Sequence, residues 1–173
     1  DFRENPYRRY AASALDRMEN HRTSIVLSHL FGLPSLGFEL KTQAYRHDYA
    51  RIWRKLNRFR GAAVSGVLAD TDDPTNAAYY AVLTGEEDSA TGGDVLLIGP
   101  NDRTFVNQGV QSVAKLSSRL GELSQRLEVG ARLHYDSIDR RHSEDGFVMT
   151  GGQLVPEGTP ESVTTVNEVK TTA

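Results

Sequence analysis

Arg132, His134 and Asp136 alternate along one short segment, and in an extended chain all three side chains share a face. A histidine beside a carboxylate has the makings of a general base, and Asp139 and His142 lie close by in sequence. No serine stands in a nucleophile elbow to use such a base, so an exposed strand face is the simpler reading of the trio. Asp70, Asp72 and Asp73 supply carboxylates for a cation, but the glycine and the distal glutamate of a calcium loop are missing. His21 and His29 are eight apart, whereas two ligands on one helix face need a spacing of about four. No glycine-rich phosphate loop follows an apolar run. The expectation is a chain without cofactor, metal or catalytic residues.

The richest polar constellation is basic. His47, Arg51, Arg54, Lys55, Arg58 and Arg60 fall within one short segment. Up to Arg60 the chain carries 12 Lys and Arg against 6 Asp and Glu; beyond it the count is 8 against 17. A basic module joined to an acidic body points to binding or assembly. Arginine outnumbers lysine in the segment, which suits two-pronged contacts to phosphate or carboxylate. The six residues are expected to touch a nucleic-acid backbone or an acidic partner surface.

The elements that would present them follow from spacing. Tyr45, Tyr49, Ile52, Leu56 and Phe59 recur at helical intervals, with the basic side chains opposite, so Tyr45 to Arg60 reads as a basic amphipathic helix. Asn5-Pro6 reads as a helix start, and Tyr7 to Met18 and Thr23 to Phe31 as helices, the latter ending at Gly32-Leu33-Pro34. Val64 to Ala69, Ala77 to Leu83 and Val95 to Ile98 read as three strands of a meander. Val106, Val110, Val113, Leu116, Leu120, Leu123 and Leu127 spell a long helix covering that sheet or an oligomer seam. Val129 to Tyr135 alternates as a half-exposed strand, Phe147 to Met149 adds a short one, and Gly151 onward reads as an extended tail.

The expected fold is α+β: N-terminal helices, a small mainly antiparallel sheet under a long helix, and an extended C-terminal tail. The expected organisation is a basic helical module over residues 1–60, an α+β body over 61–150 and the tail over 151–173. No cysteine is present, which removes disulfides and thiolate chemistry. No apolar run reaches the ~18 residues of a membrane-spanning helix, and Asp1 to Pro6 lacks the basic-then-apolar order of a signal peptide.

Together these features predict a non-enzymatic structural or assembly protein, such as a virion or large-complex component. Its partners would be other subunits in a homo- or hetero-oligomer, with RNA or DNA backbone as an anionic alternative, in a cytoplasmic or virion setting. A small-molecule-binding or sensory α+β domain is the second reading. A hydrolase or nuclease built on His134 is the third.

Overall fold

A computed structural model describes Tyr7, residues 9–158 and residues 162–172. The chain is mostly β. Its strands are β1 (Arg17–Leu33), β2 (Phe38–Phe59), β3 (Leu96–Leu120), β4 (Leu123–Thr150), β5 (Gln153–Pro156) and β6 (Ser162–Thr172). Two helices, α1 (Val64–Ala69) and α2 (Pro74–Thr84), lie between β2 and β3. The strands form one antiparallel sheet in the order β1-β2-β3-β4-β5, with β6 also pairing β4.

The α+β expectation is therefore corrected. No basic helix spans Tyr45 to Arg60, which lies mostly in β2, and no long helix covers a sheet, because Val106 to Leu127 is the β3–β4 hairpin. The spacings of four, six and four between Val106, Val110, Leu116 and Leu120 are even, and an even spacing also keeps residues on one face of a strand. Only Val113 breaks that parity, and Leu123 and Leu127 lie beyond the turn at Gly121, whose φ of +63° ends the strand. Thr23 to Phe31 is likewise strand, within β1, and among the described residues of Tyr7 to Met18 a 3-10 turn at Ala11–Ser13 precedes β1, which begins at Arg17. The helix start read at Asn5-Pro6 lies outside the described residues.

Two runs read as strands are helical. Val64 to Ala69 is α1. Ala77 to Leu83 lies inside α2, which Asp73 caps by accepting hydrogen bonds from the Thr75 and Asn76 amides at 2.9 and 3.1 Å. Pro74 opens that helix, and Gly85, at φ +83°, closes it.

The chain divides into two compact units, and β1, β2, β3, β4 and β6 contribute residues to both. The first comprises Asp1–Glu19, Arg51–Asp102 and Arg140–Val166. It holds the core, where Phe59, Val67, Leu83, Leu96, Ile98 and Met149 are almost fully buried. Gly151 and Gly152 both take positive φ, the geometry of a tight two-residue hairpin turn, and set β5 on β4 with Met149 opposite Leu154.

The second unit comprises Asn20–Ala50, Arg103–Asp139 and Asn167–Ala173. Its sheet has two unlike faces. Cross-strand contacts assign the first face: Gln43 Nε2 donates to Ser28, Gln111 Nε2 donates to Gln43, Tyr45 meets His134, Asn107 donates to Asp136, and Lys115 pairs with Glu128. Alternation then gives the opposite face to Ile25, Leu27, Phe31 and Leu33 of β1 and to Phe38, Leu40 and Ala44 of β2. It likewise receives Val110, Ala114, Leu116 and Leu120 of β3 and Leu123, Leu127, Val129, Ala131 and Leu133 of β4. That face is mainly apolar and uncovered, with Leu27 71% exposed, Leu120 75%, Leu127 58% and Leu133 74%; the same alternation also places His29, Thr42, Ser112, Ser118 and Gln125 on it, with the Thr42 and Ser112 hydroxyls 2.7 Å apart. Val26 and Leu30 are exposed apolar residues on the polar side.

Candidate functional site: a polar cluster backed by an exposed apolar face

The three residues singled out for chemistry do share a face, and β2 and β3 bring them partners that sequence spacing did not reveal. Tyr45 from β2 places its hydroxyl 2.9 Å from His134 Nδ1. Arg132 donates to the same hydroxyl from Nε at 3.0 Å and from Nη2 at 2.7 Å, and Nη2 also lies 3.0 Å from His134 Nδ1. A guanidinium has no acceptor, so His134 Nδ1 is the accepting nitrogen and Nε2 carries the proton. That proton is directed at Asp136 Oδ2, and Asn107 Nδ2 donates to the other oxygen, Oδ1, at 2.7 Å. The Tyr45 hydroxyl donates to His134 and accepts twice from Arg132, so its hydrogen-bonding positions are all occupied. A free lone pair for nucleophilic attack is lacking in this arrangement.

The guanidinium of Arg132 also stacks over the Tyr45 ring at 5.5 Å, and His47 stacks on the other side of the sequence step at 5.6 Å and 30°. The ring is seated by a glycine. A Cβ on Gly109 would fall 2.4 Å from the Leu133 carbonyl oxygen and 2.7 Å from the Tyr45 hydroxyl. Gly109→Ala is therefore expected to push Tyr45 off His134 and to lower stability by about 1–3 kcal/mol. Thermal melting, with the Tyr45 ring followed by NMR, checks both effects.

Asp136 shows what the cluster does electrostatically. Burial pushes its carboxyl up, but the hydrogen bonds from Asn107 and His134, with the electrostatic attraction of His134 and Arg132, outweigh that and hold it below its ordinary value of 3.8. A carboxyl depressed in the folded state contributes stability above its ordinary value, and the contribution is lost as pH falls through the folded value. Acid melts of wild type should lose stability below about pH 4 more steeply than those of Asp136→Asn. Parallel curves would show that the carboxylate is not held in this way.

The six basic residues meet different partners. His47 belongs to the second unit and the other five to the first. Arg51 and Lys55 flank the Trp53 ring at 5.8 and 4.7 Å, while Arg54 lies over Phe147 at 5.5 Å. Arg58 pairs at 3.1 Å with Glu144, a 7% exposed carboxylate that also accepts from Asn57. Arg60 holds Glu157 in a two-pronged pair at 2.8 and 2.5 Å, and those hydrogen bonds raise the arginine further above its ordinary value. On a helix the charges would have gathered on one side. The pleat of a strand sends neighbours to opposite sides, where several meet rings and carboxylates.

The apolar face was not anticipated, although its signal lay in the sequence. Phe38, Leu40, Thr42 and Ala44 alternate with Glu39, Lys41 and Gln43, and both arms of the β3–β4 hairpin follow the same period, with Ser112, Ser118 and Gln125 as the polar members of the apolar side and Val113 on the other. The stretches Val110–Leu120 and Leu123–Leu133 answer each other across the turn at Gly121. At ~3.4 Å per residue each runs roughly 34 Å, which a tilt of 40–45° reduces to a depth of about 25 Å. At the far end of the same face on β2, Arg46 and Asp48 form an exposed pair, bonded through Nε and Nη2 at 2.9 Å. Among the described residues no helix is long and apolar enough to cross a membrane, and no group of three or more His, Asp or Glu is placed to hold a metal.

The chain matches no protein-family model and no curated protein sequence.

Proposed function

We propose that the second unit is a wall section of a membrane-spanning β-barrel, with its apolar face on lipid acyl chains and its polar face on a water-filled interior. The observation that carries this reading is the two-faced hairpin. Val110–Leu120 and Leu123–Leu133 match the span of about 9–11 residues that a tilted strand needs to cross the hydrocarbon layer. Alternation of apolar-out and polar-in along antiparallel strands joined by tight turns is the pattern such walls require.

A soluble sheet would bury that face against a second layer. An uncovered apolar surface of this extent costs about 25 cal/mol for every Å² left in water, and acyl chains remove the cost. The polar face supports the reading from the other side. Its glutamine ladder, its Lys115–Glu128 pair and the Tyr45–His134–Asp136 chain form a polar, hydrogen-bonded lining. Further strands must pair the two open edges, because unpaired backbone cannot lie in lipid. The expectation of a structural, assembling protein is kept here, with lipid in place of an anionic partner.

Flotation with phospholipid vesicles tests the proposal. Protein that floats with vesicles and resists extraction by alkaline carbonate supports it. Protein that stays at the bottom, or is stripped by carbonate, contradicts it.

A further inference from the structure

We infer that the interior bounded by this wall is a pathway selective for small hydrated anions, with Lys41 and Arg126 among the cations that set its sign. The pathway presupposes that the polar face is the aqueous side of the wall. The whole sequence is slightly acidic, with 20 Lys and Arg against 23 Asp and Glu. The polar face of the second unit runs against that average. The alternation that places Ser28, Gln43, Lys115 and Glu128 on it also places Arg22, Lys41, Arg119 and Arg126 there. The carboxylates on the same face of the described strands are Glu39, Glu128 and Asp136.

Those carboxylates do little to cancel the four cations. Glu128 is taken by Lys115 at 3.5 Å, and Asp136 by His134 and Asn107, with the charge of Arg132 acting on it as well. Arg22, Lys41, Arg119 and Arg126 are exposed, and among the described residues none of the four forms an ion pair. Glu39 is the single carboxylate of the face in the same condition. Lys41 is the clearest case. The Ser28–Gln43 and Gln43–Gln111 contacts fix an antiparallel pairing that sets Leu30 on one side of it and Val113 on the other. Neither can neutralise an ammonium, and all three side chains line a cavity of about 680 Å³. Unpaired charges of one sign along a low-dielectric wall concentrate counter-ions beside it, and cationic linings select anions.

The test records reversal potentials of the full chain in planar lipid bilayers across a potassium chloride gradient, with vesicle flotation on the same preparation. The expected result is a current carried severalfold more by chloride than by potassium at about 0.1 M salt. At about 1 M the two should carry nearly equal shares, because the Debye length falls from about 10 to about 3 Å. Lys41→Glu combined with Arg126→Glu should turn the preference to potassium, and Glu39→Gln should strengthen the preference for chloride. Circular dichroism of each variant separates a changed lining from a lost fold. A wild type that floats and yet conducts potassium as well as chloride, or conducts neither, overturns the pathway and leaves the wall intact. A chloride preference that survives the double reversal in a folded variant also overturns it. Failure to float contradicts the wall itself, and the pathway with it.

Discussion

Replacing Leu127 with arginine is expected to cut the membrane-inserted population of the protein by roughly 30- to 1000-fold. Leu127 sits near the middle of the apolar stretch Leu123–Leu133 and is 58% exposed. An arginine at mid-depth on the lipid face of a barrel costs about 2–4 kcal/mol, and each 1.4 kcal/mol is about tenfold. Two further substitutions make the result diagnostic. Glu128→Arg places the same charge one residue away on the opposite face. It loses only a 3.5 Å pair with Lys115, an exposed contact worth less than about 1 kcal/mol. Leu123→Arg lies at the end of the stretch, where the penalty on the lipid face falls to about 0–1 kcal/mol. A protein partner on the same face would also resent Leu127→Arg, but it would not grade the cost by depth. Quantified flotation of the three variants reads the order directly, with Leu127→Arg far below the other two.

The second large effect belongs to the core of the first unit. Phe59 is 1% exposed and packs its ring 4.9 Å from that of Tyr79, within a cluster that includes Val67, Leu83, Leu96, Ile98 and Met149. Phe59→Ala removes the ring and leaves a cavity that two β-strands and two short helices cannot close. The expected loss is about 3–5 kcal/mol, a large share of the 5–15 kcal/mol that holds a typical domain together. Trp53, the single tryptophan, belongs to the same unit and reports its unfolding by fluorescence. A denaturant midpoint that falls sharply in Phe59→Ala is the predicted outcome. An unchanged midpoint would mean that this cluster is not the core.

How far the fold could be read from the residues turns on one ambiguity of spacing. Intervals of four satisfy a helix and a strand alike, so the pairs Val106–Val110 and Leu116–Leu120 were consistent with both. What decides between them is the residue two along: Ser112, Ala114 and Ser118 complete a face of period two, and the lone Val113 lies on the other side. On β2 the aromatic and basic residues from Tyr45 to Phe59 mimicked an amphipathic helix because both faces of that strand carry large side chains. The opposite error at α2 had a different origin. Its apolar run Ala77 to Leu83 resembled a buried strand, while Asp73-Pro74 at its start and Gly85 at its end were helix boundary signals.

Of the polar cluster, Arg132, His134 and Asp136 were legible because they alternate on a single strand. Tyr45, His47 and Asn107 were not, since strand pairing over separations of 29 and 89 residues brings Asn107 and Tyr45 to that cluster. No local pattern encodes such a register.

The central claim is that the second unit has one face on lipid and one on water, and a single-cysteine scan of residues 123–135 tests it most directly. The chain has no cysteine of its own, so each substitution carries the only reactive thiol in this sequence. With the protein in a bilayer, the account predicts a strict alternation. Thiols at 123, 125, 127, 129, 131 and 133 should be shielded from a water-soluble reagent and reactive to a lipid-soluble one, and thiols at 124, 126, 128, 130, 132 and 134 the reverse. Aqueous reactivity at both sets, with no period of two, would contradict it.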